Sequence, residues 1–448
     1  MENPQARFVQ GSLWRHVAVM SLTTSLGLVA VFSVDLINIL YISWLGNPHL
    51  QAALGYAAAI LFMTTSFGIG LSIASSALVA RAVGARDPAM ARQRATSGLW
   101  LAGITGGLFA LTIWVFLSPL LSVLGATGET HAHALWFLQI VTPSQPLVMI
   151  GMTGGAILRS HGDAPRAMWI TLGAAMVTAA LDPIFIFVLD MGLTGAAIVS
   201  VISRIVMAVV PVWFILRHHG GLNRPDWVGL RQDAVPLFAI GGPAILTQIA
   251  TPVGQAYVTA AMSPFGEDAV GAMAIAGRLV PVAFGVIFAL SSAVGPIMGQ
   301  NLGAGRMDRV KQTYWESLKF TALSVVLVSA LLFLLRAPLA DLFHATGQTR
   351  DLLYLFCGPL ALLWFFNGVI FVGNATCNNL GRPFWSTVIN WGRNTVGTIP
   401  LVILMAGWWG ADGVLIGQAL GGVLFALLAH LVATRVIRSR QETTQGGS

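Results

Sequence analysis

Two carboxylates stand where carboxylates are expensive. Asp35 lies in the apolar run Val31-Phe32-Ser33-Val34-Asp35-Leu36-Ile37, and Asp182 in Ala179-Ala180-Leu181-Asp182-Pro183-Ile184. Nearly all the others among the 17 acidic residues fall in polar connections or at the ends of apolar runs. At the centre of a membrane-spanning helix a charged carboxylate costs about 2.5–3.5 kcal/mol even on the lenient insertion scale, so such residues mark ion or substrate paths by default. A partly dry site disfavours the charged form, and a second carboxyl nearby disfavours joint ionisation. The chemistry this predicts is reversible binding of a proton or other cation by the pair Asp35 and Asp182. The structural alternative is that each Asp caps a helix break or pairs with Arg204, Arg278 or Arg393.

Neighbouring residues extend the candidate site. Pro183 cannot donate a backbone hydrogen bond, which frees a carbonyl one turn earlier and loosens the helix beside Asp182. Thr178, one turn before Asp182, shares its helical face, and Ser200 on the next apolar run is placed to join them as a supporting polar group. Ser and Thr also pack membrane helices without further role. Arg204 and Arg278 are expected to snorkel or line a polar cavity, and Arg393 in Trp391-Gly392-Arg393-Asn394 reads as an anchor near a helix end.

The elements that position these groups are helices in lipid. Of 448 residues 56% are hydrophobic and 9% charged, against about 25% charged in a soluble chain. Apolar runs of about 20 residues, the length that spans a bilayer as a helix, follow one another from near Val17 to near Ala433. Twelve are expected, in two sets of six. The division is residues 1–217 for a first lobe, 218–233 for a linker rich in His, Gly and charge, and 234–448 for a second lobe with a short basic tail. Alternate connections hold most of the basic residues, including Arg86, Arg92 and Arg94, then Arg306, Arg309 and Lys311, then Arg435, Arg438 and Arg440. Positive loops stay in the cytoplasm, so both termini are expected there. The net charge of +7 is thereby accounted for without a nucleic-acid partner.

The halves repeat. Gly84-Ala85 matches Gly303-Ala304, Leu71-Ser72 matches Leu290-Ser291 and Gly162 matches Gly381, at one offset of 219 (303 − 84). Gly192 and Gly195 answer Gly410 and Gly413 at 218 (410 − 192). Repeats with an even number of helices share topology and are related by a pseudo-twofold axis along the membrane normal. The expected fold is therefore an all-α integral membrane protein with two six-helix lobes.

Enzymatic signatures are missing: there is no His-Glu-x-x-His, no Gly-x-Ser-x-Gly and no Walker A sequence. His161 and His344 lack metal-ligand companions in sequence, and Cys357 and Cys377, 20 positions apart along one run, are beyond disulfide reach. No catalytic group, metal or cofactor is expected, and without a phosphate cradle any driving force must be an ion gradient.

These residues resemble the multidrug and toxic compound extrusion (MATE) transporters. The likeness rests on Val34-Asp35, Gly84-Ala85-Arg86, Leu158-Arg159 with Gly162-Asp163, Leu181-Asp182-Pro183-Ile184-Phe185 and Gly195-Ala196-Ala197, and it covers nearly the whole chain. It implies an antiporter that exports organic, cationic compounds by alternating access, in exchange for protons or sodium. In the branch sometimes called DinF-like, which this chain resembles, the cation site is an acidic pair at the positions of Asp35 and Asp182. Thr178 stands where many relatives carry Asn, Ser200 where they carry Thr, and Met20 where they carry a helix-bending Pro. Thr251 and Asn367 fill the slots that hold acids in the other branch. A pair of carboxyls with few neutral oxygen ligands suits a proton better than sodium. A bacterial inner-membrane location and monomeric action are what the resemblance suggests. The rival readings are sodium-coupled efflux and a lipid-linked oligosaccharide flippase of related fold.

Overall fold

The computed structural model describes residues 6–445, and regular structure among them is entirely helical. The helices are α1 (Leu13–Trp44), α2 (Pro48–Gly84), α3 (Pro88–Val115), α4 (Leu117–Val123), α5 (Gly128–Val141), α6 (Gln145–Ser160), α7 (Ala164–Pro183), α8 (Gly192–His218), α9 (Trp227–Met262), α10 (Glu267–Ala283), α11 (Gly285–Gly303), α12 (Met307–Leu342), α13 (Gly347–Leu355), α14 (Trp364–Asn379), α15 (Phe384–Gly392) and α16 (Thr398–Gln445). Sequence-coded caps start several of them. Asn47, Asp87 and Asp163 accept hydrogen bonds from the backbone N–H groups of His49, Met90 and Arg166, and a proline follows each within two residues, where its missing N–H and fixed φ do no harm.

Among the described residues ten helical stretches are long and apolar enough to cross a membrane, and the bent pair Gly347–Leu360 with Trp364–Asn379 makes eleven. One stretch, Phe384–Thr443, is 60 residues long, about 90 Å as a straight helix and three times the apolar thickness of a bilayer. It is two passes, which gives twelve (11 + 1). The reversal is at Gly410, with φ 59°, a conformation that disfavours any residue with a Cβ. Beyond it Gly413, Gly417 and Gly421 recur every fourth residue and let the returning arm lie on the incoming one. A Cβ on Gly417 would sit 2.7 Å from the Leu401 carbonyl oxygen, and one on Gly421 2.8 Å from the backbone of Gly397. The first half repeats the device: Gly192 has φ 51°, and a Cβ on Gly195 would sit 2.6 Å from the Phe185 carbonyl oxygen.

The chain forms two compact units. Unit 1 contains Leu26–Ile245, and unit 2 contains Ala6–Ser25 with Leu246 onward. This differs from a cut at the linker, and side-chain packing is the reason. In unit 1, Leu237 and Ile240 of α9 bury against Leu71, Ala74 and Leu78 of α2, and Asp233 ion-pairs with Arg94 at 3.1 Å while accepting from the Ser97 hydroxyl at 2.7 Å. In unit 2 the short turn Arg7–Val9 is strapped down: the Phe8 N–H donates to Gln300 Oε1 at 3.0 Å, and Asn301 and Arg309 donate to the Phe8 carbonyl at 3.1 and 2.9 Å. Trp14 of α1 meets Phe320 of α12 edge to face, with centroids 5.8 Å apart. The linker itself is shorter than expected, because Asp226 accepts from the N–H groups of Val228 and Gly229 and so starts α9 at Trp227.

The connection between α6 and α7 carries an ionised knot. Asp163 accepts from His219 Nε2 at 2.9 Å and from the Arg166 guanidinium, and the His161 ring lies 4.8 Å from that of His219. Burial acts to raise the Asp163 carboxyl, but the hydrogen bonds from His219 and Arg166 outweigh it and hold it at about 2. Burial, and then the neighbouring His219, depress His161 to about 4. A carboxyl depressed below its ordinary 3.8 contributes stability above that value and loses it as pH falls towards 2. Asp163→Asn is therefore expected to cost about 1–2 kcal/mol at pH 7, with the difference from wild type shrinking between about pH 4 and 2 in thermal unfolding of detergent-solubilised protein.

Candidate functional site

Unit 1 places Asp182 in the last turn of α7, and the helix widens immediately after it. Pro183 ends the regular turn, Ile184–Val188 form one π-helical turn, and the Leu189 N–H closes onto the Ile184 carbonyl at 2.8 Å. The widening follows from the proline's missing donor. Asp182 is 1% exposed. Its Oδ2 accepts from Asn38 Nδ2 at 3.1 Å, and its buried Oδ1 has no hydrogen-bond partner among the described residues. No cation lies within ion-pair distance of it among them either.

Asn38 belongs to α1, and its partner is fixed by aromatic packing three residues further on. Tyr41 meets Phe187 of the widened turn edge to face at 5.7 Å, and Trp44 packs on the same Phe187 ring at 6.3 Å. Asp35, three residues before Asn38, shares its side of α1. Its residue is exposed rather than buried, and the hydrogen bond to Asp182 comes from Asn38. The two carboxyls are thus linked through one turn of α1, with Asn38 as the group in contact.

Asn38 carries no charge, so the sequence does not mark it as it marks the two carboxyls. The available signal was a carboxamide one turn from Asp35 in an otherwise apolar stretch. Thr178 and Ser200, expected as supporting groups, instead donate to their own helices, at the Ala174 and Ala196 carbonyls (3.1 and 2.9 Å). Neither hydroxyl proton is directed at Asp182. Ser203 of α8 does cross to α7, donating to the Ala174 carbonyl at 3.1 Å.

The membrane arginines do not pair with these acids. Arg204 of α8 donates to the Val141 carbonyl and the Ser144 hydroxyl, both at 2.9 Å, which satisfies backbone freed where Thr142–Ser144 interrupts the run from α5 to α6. Arg393, expected as an end anchor, instead begins a π-helical turn, Arg393–Gly397, and donates to Asn367 Oδ1 of α14 at 2.7 Å. Unit 2 also holds an open cavity of about 610 Å³ lined by Pro252, Gln255 and Thr259 of α9 and Val270 of α10. Gln418 Nε2 donates to Gln255 Oε1 at 3.3 Å beside it. Among the described residues no group of three or more His, Cys, Asp or Glu is placed to hold a metal.

Comparison with known proteins places these features in context. The model of the MatE family matches residues 24–184 and again 243–404, so the matched segments start 219 residues apart (243 − 24), the offset of the internal repeat. Over 431 residues the chain is 28% identical to an FAD transporter of Shewanella oneidensis, covering 95% of each. It is 22% identical to the multidrug export protein MepA of Staphylococcus aureus over 98% of each. It superposes on a crystal structure of a mutant of the Vibrio cholerae MATE transporter VcmN with a TM-score of 0.90 and 25% identity, covering 95% of this chain and 97% of that one.

Proposed function

Because the chain belongs to the MatE family of membrane transporters, we propose that it exports small organic compounds in exchange for protons, with Asp182 and Asp35 as the proton-binding groups. The observation that carries this reading is the Asp182 carboxyl, buried, held on one oxygen by the neutral Asn38 amide and unpartnered on the other. An unneutralised charge in that position is costly. A proton on Oδ1 removes the charge and turns Asn38's charge-assisted bond into a weaker neutral one.

That bond ties α1 to the end of α7. Proton binding therefore loosens α1 at the turn that also carries Asp35, and deprotonation tightens it. A proton can drive the cycle only by binding the outward-facing state more tightly than the inward-facing one. A sodium ion asks for several converging oxygens. Here the group on Asp182 Oδ2 is an N–H donor rather than an oxygen ligand, which favours the proton.

Relatives named for multidrug export and for FAD transport support export of aromatic compounds as the task, with a flavin nucleotide as a second cargo to weigh beside organic cations. With the basic connections in the cytoplasm, both termini face that side of a bacterial inner membrane.

The test is dye movement in proteoliposomes of the wild-type protein under separate proton and sodium gradients. Ethidium accumulation driven by the proton gradient alone is the expected result. Accumulation driven only by sodium would transfer the coupling role to that ion. No gradient-driven movement of ethidium or of several other dyes would overturn export and favour a lipid flippase.

A further inference from the structure

Resting on the export reading above, we propose that Gln255 and Thr259 select cargo by its ring carbonyls: the cavity of unit 2 takes a flat, uncharged ring system and donates hydrogen bonds to the carbonyl oxygens on its edge. One stripe of α9, continued into the turn at Ser263, supplies most of the lining, and Val270 of α10 completes it. Within the stripe Pro252, Ala256 and Ala260 recur every fourth residue (256 − 252, 260 − 256), and so do Gln255, Thr259 and Ser263 beside them (259 − 255, 263 − 259). At that spacing the members of a row stand above one another on one helix face, about 6 Å apart along the axis.

The rows differ in what they offer. Pro252, Ala256 and Ala260 carry short side chains without polar atoms, a floor on which a flat ring can lie. In the other row Gln255 has its Oε1 occupied by Gln418 Nε2 at 3.3 Å, so what its amide still offers is N–H donors. Those donors have no partner among the described residues, and the Thr259 hydroxyl has none either. Thr259 departs here from Thr178, Thr313 and Thr321, whose hydroxyls are spent on carbonyls four residues back in their own helices. The Ser263 hydroxyl is likewise spent, on the Ala260 carbonyl at 2.8 Å. Two neighbouring donors, one helical turn apart, are therefore left for whatever enters the cavity.

Charge and size narrow the class of cargo. None of the lining residues is Asp, Glu, Lys or Arg. The charges that follow the stripe in the chain are negative: Glu267 and Asp268, three and two residues before Val270 (270 − 267, 270 − 268), are exposed and oppose an anionic substituent. The volume of about 610 Å³ lies within the range of sites for drug-sized molecules. A donor left without its acceptor when cargo displaces water costs more than the bond itself gains, so a site of this kind rejects the analogue that lacks the carbonyl.

Riboflavin is an uncharged flat tricycle with ring carbonyls, and ethidium is a flat tricyclic cation without them. The experiment compares gradient-driven transport of both by full-length wild type, Gln255→Met, Thr259→Val and Thr259→Ser in proteoliposomes. Gln255→Met and Thr259→Val are each expected to raise the half-saturating riboflavin concentration about 5- to 30-fold and to leave that of ethidium within about twofold. Thr259→Ser keeps the hydroxyl and is expected to stay near wild type for both dyes. Equal effects on the two dyes, no effect of either variant on riboflavin, or a wild type that pumps ethidium but ignores riboflavin would each overturn the proposal while leaving export intact. A wild type that moves neither dye overturns export, and this proposal with it.

Discussion

Asp182→Asn inserts and folds but no longer drives cargo against its gradient. The substitution keeps the shape and the Oδ acceptor for Asn38, and removes the buried member of the proton-binding pair. Ethidium accumulation under a proton gradient is expected to fall to the level of protein-free liposomes, with the thermal unfolding midpoint of the purified protein unchanged or raised, since a buried unpartnered carboxyl is gone. Asn38→Ala separates coupling from the tie to α1. It should lower the rate about 3- to 10-fold, the loss of one hydrogen bond to a partly charged group, and leave proton dependence in place. If Asp182→Asn still accumulated dye in response to a proton gradient, proton binding at this site would be wrong.

The double variant Gly413→Ala with Gly417→Ala is expected to destabilise unit 2 by about 2–6 kcal/mol, twice the usual overpacking penalty. A new methyl at either position runs into backbone of the incoming arm, at Met405 and Leu401 respectively, and backbone cannot rotate aside as a side chain can. Gly422→Ala is the matched control. It lies in the same helix with nothing within 4 Å of an added Cβ, so it should gain about 0.5–1 kcal/mol from helix propensity alone. Thermal unfolding in detergent decides the matter: shifts of one sign for both variants would remove the close approach of the two arms as the explanation.

The apolar runs made the helices legible because a bilayer imposes one length on them and one solution for backbone polar groups. The repeat at 219 was legible because both halves reverse at glycines in the same conformation, Gly162 with φ 79° and Gly381 with φ 82°. Asp182 announced itself by the cost of its charge. Asn38 did not, since it carries no charge and its partner lies 144 residues away on α7. The exchange of helix starts between the units was also hidden. It depends on where Leu237, Ile240 and Phe8 find partners, and hydropathy says only that such residues are buried, never against what. Arg393 departs from the expected end anchor for a related reason: its depth can be read along the chain, while its role comes from Asn367 on another helix.

The strap at the amino-terminal end has a consequence for how the protein is made. Phe8 and its acceptor Gln300 are 292 residues apart, and at typical rates of synthesis that interval is roughly 15–60 s. During that time the ribosome has released the beginning of α1 with nothing to hold it, while most of unit 1 is already inserted. This early segment is thus among the last to find its place, and truncated translation products that stop before Arg309 would present an unclaimed aromatic turn to the quality-control machinery of the cell.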